Sequence, residues 1–196
     1  MTIVRELSLE WILTAIGFVA AYIVGLWQYR RTQRQDKIGL LLPLITEFET
    51  DEELRAARHL FDYDGGTFTV NEQKYTFKNA DLLEAMRVVK DDLGWAPLHV
   101  AMRKVLDRYF DFFGKLASLV EVRLFTFTDL KYFYYYFELL AKIEEYKNSD
   151  FVPALNKYLN AYRFVNCRTC LEMYRNLPPS QRMALRLPGS RRKGSK

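Results

Sequence analysis

Between Trp11 and Tyr29 the chain runs for 19 residues without a formal charge. No other feature restricts its folding as strongly, because a helix of that length covers about 28 Å, close to the hydrocarbon thickness of a bilayer. Trp11 stands at one end of the run and Trp27 with Tyr29 at the other, as in an aromatic belt, and Arg30, Arg31 and Arg34 follow directly. The sequence thus predicts one transmembrane helix over residues 11–29 after a short N-terminal segment, residues 1–10. Trp11, Trp27, Tyr29, Arg30, Arg31 and Arg34 would then lie at the membrane interfaces. Of the flanking basic residues, Arg5 precedes the run while Arg30, Arg31, Arg34 and Lys37 follow it. That asymmetry predicts a single-pass protein of the inner (plasma) membrane, N-terminus outside and C-terminal domain cytoplasmic. Cleavage as a signal peptide, with Val19 and Ala21 as the small residues, fits less well, since the leading segment is net negative and the cut would halve the apolar run. A buried helix of a soluble protein is the other competing reading. Against it, only Thr14 and Gln28 in the run are strongly polar.

Gly17, Ala21 and Gly25 recur every four residues and form one smooth helical stripe, the pattern of close helix–helix contact and homo-oligomer formation. The same spacing also arises from the general abundance of glycine and alanine in apolar helices.

The net charge of +5 suggests nucleic acid until it is located along the chain. Arg30, Arg31, Arg34 and Lys37 against Asp36 make residues 30–37 basic. Arg182, Arg186, Arg191, Arg192, Lys193 and Lys196 make the last stretch, residues 178–196, basic without any acid. Residues 38–177 are left with a net charge of −3. The basic character therefore belongs to two strips suited to anionic lipid headgroups, and the lipid bilayer rather than nucleic acid is the expected partner. With 49% hydrophobic and 27% charged residues, disorder throughout is excluded. Aromatics at 15% point to a core built from large rings.

Beyond the basic strip, taken as a juxtamembrane helix or linker over residues 30–49, the pattern is helical. Ile38, Leu41, Leu42, Ile45 and Phe48 repeat at helical spacing, with Pro43 expected to bend the chain. Thr50-Asp51-Glu52-Glu53 reads as a capping box opening a helix with Leu54, Ala57, Leu60 and Phe61 on its buried face. Gly65-Gly66 stops it. Thr67–Val70 and Lys74–Phe77 alternate as two short strands around an Asn71-Glu72-Gln73 turn. Further helices are expected from Asn79 to about Lys90, from Pro97 to about Val122, from Thr128 or Asp129 to about Tyr146, and from Asp150 to about Asn176 with a break near Arg163. The fold class expected is mainly α: a transmembrane helix, then a cytoplasmic helical bundle over residues 50–177 with one small β-hairpin, then a disordered basic tail over residues 178–196.

Chemical motifs are sparse. Cys167 and Cys170 have the spacing of a redox or zinc pair but lack a preceding strand or further ligands, so packed, reduced thiols are expected. Asp62-Tyr63-Asp64-Gly65 opens like a calcium loop, then places Gly66, Thr67 and Gln73 where ligands and the turn glycine belong. Asp64 with Glu72 and Lys74 has the composition of a divalent-metal phosphodiesterase centre on a hairpin. Phosphate loops, nucleophile elbows and zinc helices are missing from the sequence, and neither His59 nor His99 has a catalytic context. No catalytic residue, cofactor or metal is expected.

Arg108-Tyr109-Phe110-Asp111-Phe112-Phe113, Leu119-Val120-Glu121, Asp129-Leu130, Tyr132-Phe133 and Tyr158 through Tyr162-Arg163-Phe164 together resemble a family of uncharacterised bacterial membrane-anchored helical proteins, over about residues 7–175. The resemblance implies an N-terminal membrane helix and a helical domain, without an activity. The resulting expectation is a membrane-tethered interaction or regulatory module without catalysis, with a protein partner of unknown identity. The alternative is a membrane-attached, metal-dependent nucleic-acid enzyme or effector using Asp64, Glu72 and Lys74. A third reading, nucleic-acid binding by residues 180–196, ranks last.

Overall fold

The computed structural model describes residues 9–88, 94–147 and 149–185. Its first element is one helix, α1 (Leu9–Thr50), of 42 residues, with Pro43 inside it. The strip over residues 30–49, expected as a juxtamembrane helix or linker, is part of this helix. Among the described residues, no helix is long and apolar enough to cross a membrane. This overturns the transmembrane helix over residues 11–29, and with it the single-pass topology and inner-membrane location that rested on it. The physical reason is what shares the helix with the apolar run. Thr14, Tyr22 and Gln28 interrupt the run, and the same helix continues without a break through Arg30, Arg31, Arg34, Asp36 and Lys37. The chain divides into two compact units, Met1–Pro43 and Leu44–Lys196.

In the second unit the end of α1 is followed at once by α2 (Glu52–Asp62), and the cap lies one residue later than expected. Asp51 is the N-cap, its carboxylate accepting the Leu54 N–H at 3.0 Å. The Thr50 hydroxyl instead donates back to the Thr46 carbonyl at 2.7 Å, as a residue still inside α1 does. The buried face of α2 carries Leu54, Ala56, Ala57, Leu60 and Phe61.

The hairpin is present. Strands β1 (Gly65–Val70) and β2 (Gln73–Lys78) pair antiparallel with Gly65 opposite Lys78 and Val70 opposite Gln73. Gln73 therefore belongs to the ladder, and the turn is the two residues Asn71 (φ 50°) and Glu72 (φ 65°), both left-handed, as this hairpin geometry requires. Phe68, Val70 and Phe77 are buried on the inner side.

Helix α3 (Asn79–Ala85) follows directly, its first turn tied by the Lys78 N–H donating to Asp81 at 2.8 Å; it ends at Ala85 with Met86 as its C-cap and Arg87 and Val88 non-helical, short of the helix expected to about Lys90, and residues 89–90 lie outside those described. Helix α4 (Pro97–Glu121) opens on a proline at the position that needs no N–H donor. It is the central element, in contact with α2, α3 and, most extensively, a later helix, α8 (Val165–Arg175). The helix expected through Tyr146 is three pieces: a 3-10 turn at Lys131–Phe133, α5 (Tyr134–Ala141) and α6 (Ile143–Tyr146). Helix α7 (Phe151–Ala161) and α8 are separated where Arg163 takes φ 60°, close to the expected break. Part of the supposed disordered tail is ordered: α9 (Pro179–Leu185) starts where the Pro178 carbonyl accepts from Gln181 and Arg182, and Leu185 is buried. Residues 186–196 lie outside the described part.

The core is aromatic. Phe48, Phe61, Tyr109, Phe110, Phe112, Phe113, Phe133, Phe137, Tyr158 and Tyr174 are all at most 1% exposed. In the run Tyr132 to Phe137, the structure buries Phe133, Tyr134 and Phe137, while Tyr132 remains 40% exposed. Ion pairs close over the core. Arg108 of α4 bonds Asp51 at 2.7 Å and Glu47 at 2.9 Å, Lys115 bonds Glu47 at 2.8 Å, and Lys104 bonds Glu53 at 2.6 Å. Burial alone would raise the Glu47 carboxyl, but Lys115 and Arg108 outweigh it and hold it below its ordinary range. Asp51 is lowered in the same way, burial being outweighed by the Leu54 N–H and Arg108.

Two outcomes follow from this geometry. Glu72 carries a left-handed penalty of about 1–2 kcal/mol, more than the about 0.5–1 kcal/mol of unfolded-state entropy that glycine would add. Glu72→Gly is therefore expected to raise the urea midpoint at unchanged slope, a gain of about 0.5–1 kcal/mol; a lower midpoint would show that the carboxylate makes an indispensable contact. Carboxyls lowered in the folded state contribute stability that is complete above their unfolded pKa values of about 4 and is lost as pH falls through the folded values. Arg108→Met is accordingly expected to cost about 1–2 kcal/mol at pH 7. Urea titrations should show that difference shrinking below about pH 3, and a difference independent of pH would contradict the ion-pair origin.

Candidate interaction surface

Every described side chain from Trp11 to Tyr29 is exposed. Trp11 is 72% exposed, Phe18 74% and Trp27 61%, and Leu13, Ile16, Val19, Tyr22, Ile23, Val24 and Leu26 are exposed as well. At 100° per residue these positions cover all sides of α1, so the apolar surface is a sleeve and not a stripe. A sleeve of this kind left in water is strongly unfavourable, at about 25 cal/mol for each Å² of apolar surface that a partner does not cover. Where the sleeve ends, Arg31 lies over the Trp27 ring at 5.5 Å, and the Gln33 amide donates to the Tyr29 hydroxyl at 2.6 Å. Arg30 and Arg34 are exposed beside them. The structure thus brings Trp27, Tyr29, Arg30, Arg31 and Arg34 into one aromatic and basic collar, with Trp11 at the far end of the sleeve. Around Gly17 and Gly25 an added Cβ would meet no atom within 4 Å, so the Gly17, Ala21, Gly25 stripe faces open space.

The chemical candidates fare differently. Cys167 and Cys170 are free, buried and one turn apart on α8. Burial pushes both thiols up, Cys170 to about 12 and Cys167 further, with Cys170 and Asp111 adding to its rise. The thiolate, which does the chemistry of a redox or metal-binding cysteine, is thereby suppressed. Asp64 precedes the first hairpin pair while Glu72 sits in the turn at the other end. Six strand residues separate them, about 20 Å, and Lys74 pairs opposite Thr69 between them. These three residues do not converge.

Asp64 instead has a structural task. Its carboxylate accepts from Asn79 at 2.7 Å and from Lys147 at 3.3 Å, and Lys147 also donates to the Asn79 side chain at 3.1 Å. The Lys147 side chain is only 1% exposed; burial lowers its pKa, against the opposing charge of Asp64. This node fastens the end of α6 to the base of the hairpin, within the Asp62-Tyr63-Asp64-Gly65 segment that opens like a calcium loop but lacks the later ligands. Asp62, the first residue of that motif, ends α2 and accepts from the Tyr135 hydroxyl at 2.8 Å. Among the described residues no group of three or more His, Cys, Asp or Glu is placed to hold a metal ion.

Sequence reasoning missed a second node. The Arg103 guanidinium lies 4.7 Å from the centres of the Trp95 and Tyr162 rings and 5.2 Å from that of Tyr158, and donates to the Ala85 carbonyl at 2.9 Å. Tyr158 in turn donates to Asp107 at 2.6 Å. Burial raises the Asp107 carboxyl despite that bond and the nearby Arg103. These residues lie far apart in sequence, and no local spacing announces them. His99 is half-buried, edge-on to Trp95 and 3.9 Å from Asp81. Comparison with protein families, curated proteins and solved structures finds no match for this chain.

Proposed function

We propose that the chain is a non-catalytic interaction module that docks on a lipid surface through the apolar sleeve and basic collar of α1. The observation that carries this reading is the sleeve itself: ten apolar side chains from Trp11 to Trp27, all exposed, ending at Arg30, Arg31 and Arg34. Acyl chains of one leaflet suit a surface that is apolar on every side, and guanidinium groups at its end suit lipid phosphates, at about 1 kcal/mol per basic residue. The docking proposed is with a lipid surface and does not involve passage across it.

The second unit supports a binding role and not a chemical one. Its described acids and bases are largely committed to fastening elements together: Glu47 and Asp51 to Arg108, Glu49 to Arg58, Glu53 to Lys104, Asp64 to Lys147, Asp107 to Tyr158. A rigid helical body of this type suits recognition of another protein while α1 holds it at the lipid.

Vesicle flotation tests the reading. The full chain is expected to float with vesicles containing anionic lipid, less with neutral ones and less again at high salt. Phe18→Glu with Ile23→Glu should abolish flotation, while Arg30→Gln with Arg31→Gln should remove only the preference for anionic lipid. A chain that stays unbound to vesicles and forms a defined oligomer, dispersed by Phe18→Glu with Ile23→Glu, would overturn lipid docking in favour of other copies covering the sleeve.

A further inference from the structure

A cleft of ≈ 380 Å³ lies between α2 and β1, lined by Glu52, Arg55, Ala56, His59, Thr67, Phe68 and Thr69. Its construction follows from two periodicities. Glu52, Arg55, Ala56 and His59 recur at helical spacing and share one face of α2. Thr67 and Thr69 alternate along β1 and point to the same side, while Phe68 is 4% exposed on the inner side. Ala56, 5% exposed, leaves the floor shallow and apolar.

The His59 wall is tightly made. The imidazole lies 4.5 Å from the Tyr63 ring and meets Phe77 edge-on at 5.9 Å. Gly66, at φ 151°, approaches so closely that a Cβ there would stand 3.0 Å from His59 Cε1. Only glycine permits this combination of angle and approach. His59 Nδ1 is buried without a hydrogen-bond partner. An enclosed ring nitrogen of this kind is costly unless a ligand, or a water that comes with it, supplies the partner.

What marks the cleft is a contrast within one helix. On the neighbouring faces of α2, Glu53 is bonded to Lys104 at 2.6 Å and Arg58 to Glu49 at 2.8 Å. Among the described residues, the side chains of Glu52, Arg55, Thr67 and Thr69 have no ion pair and no hydrogen bond. Glu52 and Arg55, three residues apart, have Cβ atoms about 5–6 Å from each other and yet form no pair. A carboxylate, a guanidinium, two hydroxyls and an imidazole thus converge on one concavity with their capacity unused.

The balance of charge selects the ligand. A phosphate dianion would meet Glu52 as well as Arg55, and a simple cation would meet Arg55 as well as Glu52. A small molecule carrying both a carboxylate and an ammonium matches both. We propose that this cleft binds a small zwitterion of the α-amino-acid or dipeptide type. Its carboxylate pairs with Arg55 and accepts from the Thr67 and Thr69 hydroxyls, and its ammonium pairs with Glu52. The volume suits a molecule of this size and not a nucleotide with three phosphates. The inference stands apart from lipid docking, since it uses no residue of α1.

The chain has two histidines, so the Cε1–H signals of His59 and His99 separate the cleft from an internal control in carbon–proton correlation spectra. Titration of the full chain in detergent with glycine, L-alanine, L-glutamine and glycylglycine is expected to shift the His59 signal saturably and leave His99 in place. Arg55→Gln and Glu52→Gln should each weaken that binding by about tenfold or more, with the His99 signal confirming the fold. Acetate, which lacks the ammonium, should bind more weakly than glycine and be insensitive to Glu52→Gln. Saturation by inorganic phosphate with none by the amino acids, absence of saturation up to about 50 mM, or unchanged affinity in both glutamine variants would overturn the proposal.

Discussion

Phe48 is fully buried, with ring centroids of Phe112 at 5.1 Å, Phe133 at 5.2 Å and Tyr136 at 4.9 Å, and the Arg58 guanidinium 4.8 Å over its face. One side chain near the end of α1 is thus touched by α2, α4, the 3-10 turn and α5. Edge-to-face and offset contacts of this kind add about 0.5–1.5 kcal/mol each to the burial itself. They also fix direction, because a ring admits fewer arrangements than an aliphatic chain. The aromatic density of the sequence has its explanation here: α4 supplies Tyr109, Phe110, Phe112 and Phe113 on adjoining faces, and the surrounding elements each answer with rings of their own.

Around that core the ion pairs act as a rim. Glu47, Glu49 and Asp51 lie beside Phe48 in sequence and reach Arg108, Lys115 and Arg58, while Tyr132 adds its hydroxyl to Glu49 at 2.7 Å. The Tyr132 bond is the largest cause of the lowered Glu49 carboxyl, with Arg58 assisting against burial. Pairs with partly exposed partners contribute modestly to stability. Their larger effect is to admit one register of α1 against α4. The cleft beside α2 stands out because its charges take no part in this rim.

Much of the local structure was legible because it rests on local chemistry. Pro97 announced the start of α4 and the alternation around Asn71 the hairpin, whereas Gly65-Gly66, expected as the stop of α2, open β1 after α2 has ended at Asp62 with Tyr63 as its cap. Two errors have their source in tertiary contacts, and a third does not. Thr50 was read as the cap because serine and threonine favour that place, but Asp51 takes it with Arg108 bound to the same carboxylate. Residues 129–146 were read as one helix, whereas burial of Phe133 and Phe137 is met by three shorter pieces. The apolar run of α1 suggests a membrane span by its uncharged length, its aromatic ends and the arginines that follow, yet among the described residues no helix is long and apolar enough to cross a membrane. Of the surface and cleft, Trp27, Tyr29 and the arginines were visible as a cluster. The union of Arg55 with Thr67 and Thr69 was not, since helix–strand proximity leaves no mark on spacing.

The last turns of α1, from Leu44, are part of the folded body and not an extension of a separable anchor. Everything placed above α4, including the rim and the α2 face of the cleft, depends on Phe48 being seated. Urea unfolding of Phe48→Ala beside the parent chain tests this most directly. The expected result is a loss of about 3–5 kcal/mol, registered together by tryptophan fluorescence and by far-ultraviolet circular dichroism as one cooperative transition. A loss below about 1 kcal/mol, with the parent's midpoint essentially kept, would contradict the account, because it would show that the body folds without the end of α1.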